Sequence, residues 1–221
     1  MDYIKRKESI SIVVLCNTLP VFIHIRWMSE RGIITGQEFA DSVDKGFQLN
    51  ENQSIFQVGS DINVYCDRSR FQIESFDITA SQRITDICKG TLSLNQPSAF
   101  AAVGINAYMD FTFYTEEDAF RFGNTFVPLD KWDDIIPNPR VGNFTIQEDI
   151  ATPTITHPRR ALNIQCLGAD NKTKLALVRI SANNHHPISN ILEMEKVLAK
   201  TQDYYNQFYE WLDKLFKEKL A

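Results

Sequence analysis

Residues 99–114 constrain the fold of this chain more than any other stretch. Ala101, Val103, Ile105, Ala107, Met109, Phe111 and Phe113 are apolar, and Ala102, Gly104, Asn106, Tyr108, Asp110 and Thr112 alternate with them. A period of two sustained over about 14 residues describes a strand with one buried face and one face turned to polar surroundings. Strands are usually far shorter, so this one needs long neighbours, and the rest of the chain must supply a sheet. Gly104 permits close approach of another backbone. If no helix covers the polar side, Asn106, Tyr108 and Asp110 line a cleft. If one does, these groups must find hydrogen bonds inside the protein.

The flanking sequence supplies candidate partners for that strand. Residues 1–8 are charged and read as a tail, and Ile10–Leu15 reads as a buried, β-branched strand. Asn17 or Thr18 caps a helix expected over 19–30, with Pro20 in its first turn and Gly32 at its end. A short helix is expected over 37–44 and a polar loop over 49–54. Strands follow at 55–58, 62–66 and 71–76, with turn residues at 59–61 and 67–69. Thr79 or Ser81 opens a helix that Gly90 ends. The order strand, helix, strands, helix, strand fits an α+β fold in which helices cover an antiparallel sheet, with a ferredoxin-like first half.

The second half begins with a helix over 116–123, capped by Thr115 and carrying acids in its first turn. Residues 127–139, with Pro128, Pro137 and Pro139 around Lys131–Ile136, read as a boundary or crossover loop. A strand over 141–150 and a hairpin of 160–167 with 175–182, turning at Asp170–Asn171, come next. No internal repeat stands out. From Ile188 the chain reads as one long helix, about 45 Å for 30 residues. Its apolar stripe includes Leu198, Tyr205 and Leu212, widened by Val197, Tyr204 and Trp211. The stripe either lies on the sheet or docks a second copy or a partner, and Leu198, Tyr204, Tyr205 and Trp211 are its partner-binding candidates. The chain is read as a single domain with two sub-lobes, 9–126 and 140–221.

Composition narrows the function classes. A 43% apolar and 23% charged chain of 221 residues can bury a real core, which argues against wholesale disorder. A net charge of −5 disfavours a general coat for nucleic acid, which needs cations to displace counterions. Cys16, Cys66, Cys88 and Cys166 are far apart and sit among apolar neighbours, as reduced, buried thiols of a cytoplasmic protein do. Lys5–Lys7 followed by Ser9–Ile23 only loosely resembles a leader, because the run holds Asn17, Thr18 and Pro20 and lacks a small-residue cleavage site. No run is long and apolar enough to span a bilayer. No cofactor or metal is expected.

Chemistry-bearing candidates are scattered. His185–His186 sit between a strand and the long helix, where histidines can bind metal or act as a base, although neighbours on a strand point oppositely. Asp61 and Asp67, with Arg68 and Arg70, surround one hairpin and could orient water or hold phosphate. Glu116–Asp118 and Asp133–Asp134 read as a helix start and a solvated loop. Arg159 and Arg160 beside His157 form the one compact basic spot, with Lys172 and Lys174 across the hairpin. Phosphate-loop, dinucleotide, nucleophile-elbow and zinc-protease motifs are absent from the sequence.

The segments LCNTLPVFIHIRWM, VYCDRSRFQI, AVGINAYMDF and LNIQC, taken in order, resemble a diffuse group of uncharacterised bacterial proteins. That resemblance implies an α+β protein of a bacterium or phage, some members lying near mobile-element or phage-defence genes. It assigns no catalytic residue. The sequence therefore leads to a non-enzymatic interaction subunit or adaptor, bound through the C-terminal helix to a protein partner or a second copy. A hydrolase or nuclease using Asp61, Asp67, His185 or His186 is the alternative, and a nucleic-acid module using Arg159, Arg160, Lys172 and Lys174 is a third.

Overall fold

The computed structural model describes residues 3–127, 129–132, 134–169 and 175–219. Among them nine strands form one antiparallel sheet in the order β2-β3-β4-β5-β1-β6-β9-β8-β7. The central pair is β1 (Tyr3–Cys16) and β6 (Phe100–Phe113), which run side by side from Tyr3 opposite Phe113 to Cys16 opposite Phe100. The charged start of the chain is thus strand rather than tail. Tyr3 stacks on Phe216 at 4.6 Å, and Lys5 pairs with Glu8 at 2.8 Å. A register shift between Lys5 and Lys7 takes up the irregular alternation there.

Beyond β1 the chain forms α1 (Ile25–Glu30) and α2 (Gly36–Val43). It then makes a meander of β2 (Phe47–Leu49), β3 (Gln53–Val58), β4 (Ile62–Asp67) and β5 (Arg70–Ser75). The expected helix over 19–30 is shorter because His24, not Thr18, caps it, its Nδ1 accepting from the Trp27 amide at 3.2 Å. Thr18 bonds instead to the Asp67 carbonyl and lies 3.2 Å from the Cys66 sulfur. Thr35 and Glu38 close a reciprocal cap on α2. The connection out of β1 carries two helices and then a four-stranded meander whose outermost strand, β2, ends the sheet, and the ferredoxin-like expectation is not confirmed. Helix α3 (Ser81–Leu94) runs straight through Gly90. A Cβ there would meet Ile33 at 3.4 Å, an ordinary contact, so this glycine neither ends the helix nor is demanded by packing.

The second half repeats the order strand, helix, meander, helix, a repeat that the residues themselves do not display. After β6 come α4 (Glu116–Asn124), β7 (Asn143–Gln147), β8 (Arg159–Ala169) and β9 (Ala176–Pro187). The turn expected at Asp170–Asn171 lies outside the described residues. The C-terminal helix is two pieces, α5 (Ile191–Leu198) and α6 (Thr201–Lys219). Thr201 Oγ1 donates to the Leu198 carbonyl at 2.7 Å where the two meet.

The six α-helices among the described residues pack on one face of the sheet. Ile10, Ile12 and Val14 of β1, Phe71 and Ile73 of β5, and the odd-numbered residues of β6 from Val103 to Phe113 form that face. They share one core with Ile84, Ile87, Cys88 and Leu92 of α3 and with Tyr205, Phe208 and Leu212 of α6. The buried thiols belong to this core and are unpaired; burial pushes Cys16 up to about 12 and Cys66 to about 11. None of the described helices is long and apolar enough to cross a membrane. Phe208, 1% exposed, anchors α6. Phe208→Ala should lower stability by about 3–5 kcal/mol in urea denaturation followed by circular dichroism.

Candidate functional site

The sequence-derived candidates separate when placed on this frame. Asp61 sits in the turn before β4, and Asp67 ends β4, so the strand holds them about 20 Å apart at 3.3 Å per residue. Asp67 is a turn residue. It accepts from the Ser69 amide at 2.7 Å, the Ser69 hydroxyl at 2.8 Å and the Tyr65 hydroxyl at 2.9 Å. Burial opposes its ionisation, but those bonds and Arg70 hold its pKa below the usual carboxylate value. Asp61 is exposed and takes a bond from Ser60.

His185 and His186 lie inside β9, not between strand and helix, and they point to opposite faces. His186 shares the helix face with Asn184 and is fully buried. Its Nδ1 meets the Ile155 carbonyl at 2.9 Å, and its ring packs edge-on against Tyr204 with centroids 5.1 Å apart. His185 lies on the other face, opposite Gly104 on one side and Arg159 on the other. Arg159 and Arg160 are divided in the same way. Arg160 faces the helices, 3.7 Å from Glu148, so the two arginines do not form one basic patch. Lys172 and Lys174 lie outside the described residues, as does Asp133. Among the described residues no group of three or more His, Cys, Asp or Glu side chains could hold a metal ion.

Three of the four stripe residues, Leu198, Tyr204 and Tyr205, are buried in the chain's own core. The helix lies on the sheet. Trp211 alone of the four reaches a surface groove, beside Ile146 and Leu162.

The second face of the sheet carries none of the described helices, so the polar side of β6 does line a cleft. Its volume is about 390 Å³, bordered by Ser11, Asn106, Tyr108, Asn163, Ser181 and Asn183. Below it, Arg179 of β9 grips Asp110 with two bonds, Nε at 2.7 Å and a terminal nitrogen at 2.9 Å, and lies over the Tyr108 ring at 4.2 Å. Ser9 donates to Glu74, and burial followed by the Glu74 charge raises the Tyr108 phenol above its ordinary value. Arg179 was not legible as a site residue, because it sits in an apolar run that marks only a strand. The cleft offers hydroxyls and carboxamides, and the Arg179 guanidinium near it is already neutralised by Asp110.

Exposed apolar side chains gather at both ends of the sheet: Val43, Phe47 and Leu49 border a groove of about 300 Å³ beside β2, and a second group surrounds β7. Trp132, Ile135, Ile136 and Ile146 are 47%, 70%, 49% and 55% exposed. Trp132, Ile136 and Phe144 line a groove of about 290 Å³ at one end of β7, and Ile146, Leu162 and Trp211 line one of about 320 Å³ at the other. The Trp-Ile-Ile content of the proline-bounded loop is the sequence signal for this patch, although its composition alone points to a boundary or crossover loop. No known family model matches the sequence, and no curated protein matches it.

Two outcomes test the electrostatics. The Asp110 side chain is 7% exposed, so Arg179→Met strands its charge and should cost about 3 kcal/mol in chemical denaturation, while Asp110→Leu with Arg179→Met should cost less than the single change. Burial lowers His186 below 6.5, against its bond to Ile155, with His185, Lys200 and Arg160 adding to the shift; burial and Arg159 lower His185. Both histidines therefore bind protons more readily in the unfolded chain, so stability is full above about pH 6.5 and falls as pH drops through their folded values. Melting temperatures from pH 8 to pH 5 should show that decline, and His186→Leu should flatten part of it.

Proposed function

We propose that this chain is a non-enzymatic protein-interaction subunit or adaptor in a bacterial defence or toxin–antitoxin-like system. The observation that carries it is the apolar surface around β7. Large exposed apolar patches on folded proteins mark contact sites. The proposal moves the binding surface from the helix stripe, which the core already uses, to the loop 129–140 and the edge strand beside it. Trp211 joins the two, since it belongs to the stripe and borders the groove at Ile146. A hydrolase or nuclease has less to draw on, with its candidate acids at opposite ends of a strand and its candidate histidines on opposite faces.

The test is recovery of a stoichiometric protein partner, or self-association, with the full chain at micromolar concentration. Trp132→Ser or Ile135→Asp should weaken that association about 30-fold, the size expected for removing an interface anchor, with the circular dichroism spectrum unchanged. A clean monomer that recovers no protein overturns the reading.

A further inference from the structure

The backbone of β7 narrows the identity of the partner. The Cys166 amide donates to the Gly142 carbonyl at 2.7 Å, and the Glu148 amide donates to the Arg160 carbonyl at 2.9 Å. Extended chain alternates its hydrogen-bonding direction residue by residue, so even-numbered positions from 142 to 148 turn their polar groups toward β8. Asn143, Thr145 and Gln147 therefore turn their N–H and C=O groups outward, where the sheet ends. This edge carries none of the usual protection. Asn143–Gln147 contains no Lys, no Pro and no charge. The opposite edge, β2, is three residues long and is protected by brevity.

We propose that the partner at this surface is a second copy of this chain, paired β7 to β7, antiparallel, about a two-fold axis at Thr145. The proposal rests on the interaction reading above and gives it an occupant. In this register Thr145 meets Thr145 and Asn143 meets Gln147, all with outward-facing groups, so every outward N–H and C=O of the three residues is satisfied. Phe144 then lies opposite Ile146 of the other copy in the narrow pairs, where side chains approach most closely. Both project on the helix face. Ile146 of one copy thus reaches the groove that Trp132, Ile136 and Phe144 line on the other.

Charge agrees with the same register. Exposed Arg140, whose guanidinium lies over the Phe120 ring at 4.4 Å, precedes the edge, and exposed Asp149 follows it, beside Glu148, which already lies 3.7 Å from Arg160. Antiparallel pairing brings the arginine of each copy beside the two acids of the other, at both ends of the contact. A parallel pairing would set like charges together. The contact is isologous and closes on itself, which yields a dimer rather than a filament.

The register is tested with single cysteines in the full chain. Because Thr145 meets itself, Thr145→Cys should give an interchain disulfide under mild oxidation, at a backbone separation disulfides accept. Gln147→Cys alone should not, because it meets residue 143; Asn143→Cys with Gln147→Cys should. Thr145→Pro removes an outward amide that β8 does not use, so it should raise the dimer dissociation constant ~30-fold and leave the monomer folded. Light scattering on a sizing column should show twice the chain mass for the unmodified protein. A monomer at tens of micromolar, or a dimer that neither crosslinks through Thr145→Cys nor responds to Thr145→Pro, overturns the second copy as occupant. If that monomer still captures another protein, and Ile135→Asp abolishes the capture, the self-pairing falls while the interaction reading stands.

Discussion

The pairing of β1 with β6 is the constraint on which everything else depends. These two strands are about a hundred residues apart in sequence, and no hairpin or short loop brings them together. Each is the first strand of its own half. Each is flanked on its far side by the last strand of that half's meander, β5 for β1 and β9 for β6. Closing this contact costs loop entropy before it returns any burial. It also fixes which side of both halves faces the helices, since a slip of one residue would turn Ile10, Ile12 and Ile105 outward and Ser9, Ser11 and Asp110 inward.

That choice of face explains the contrast between the two sides of the sheet. One side spends its apolar residues on helices α3, α5 and α6. The other lies open, and the polar residues there bond to one another across strands. Arg179 and Asp110 form a two-bond link of this kind, joining β9 to β6. The arrangement lets a large sheet remain wet on one side, as antiparallel sheets commonly do, without stranding a charge.

Legibility in the sequence followed how local the determining physics was. The alternation of β6 placed it almost to the residue, and Thr115 with its acids placed α4. The signals failed where tertiary contacts overruled them. Residues 3–8 are charged, yet Tyr3 has aromatic neighbours in β6 and α6 and draws them into the sheet. Gly90 has the composition of a helix end, but α3 continues through it to Leu94, with Leu92 buried in the core beyond it. Asn183–Pro187 read as loop and cap, while pairing with β6 keeps them in β9 and splits the two histidines between faces. For the candidate site, Asn106, Tyr108 and Asp110 were visible as the polar side of one strand, but Arg179 was not. The apolar loop was visible in composition, and its alignment with an uncharged edge was not, because edge position is a property of the whole sheet.

The repeated order of the two halves has a consequence for how the molecule is held together. The outermost strand of each half ends the sheet, but the innermost strand of each half would end it too if the other were missing. An isolated first half would show β1 as a fourteen-residue open edge, guarded by charge over Lys5–Glu8 and uncharged from Ser9 to Cys16, with Ile10, Ile12 and Val14 in that stretch. An isolated second half would show β6 in the same way. Each half is therefore the other's chaperone, and the longest sticky surface the chain makes is the one it never presents once folded.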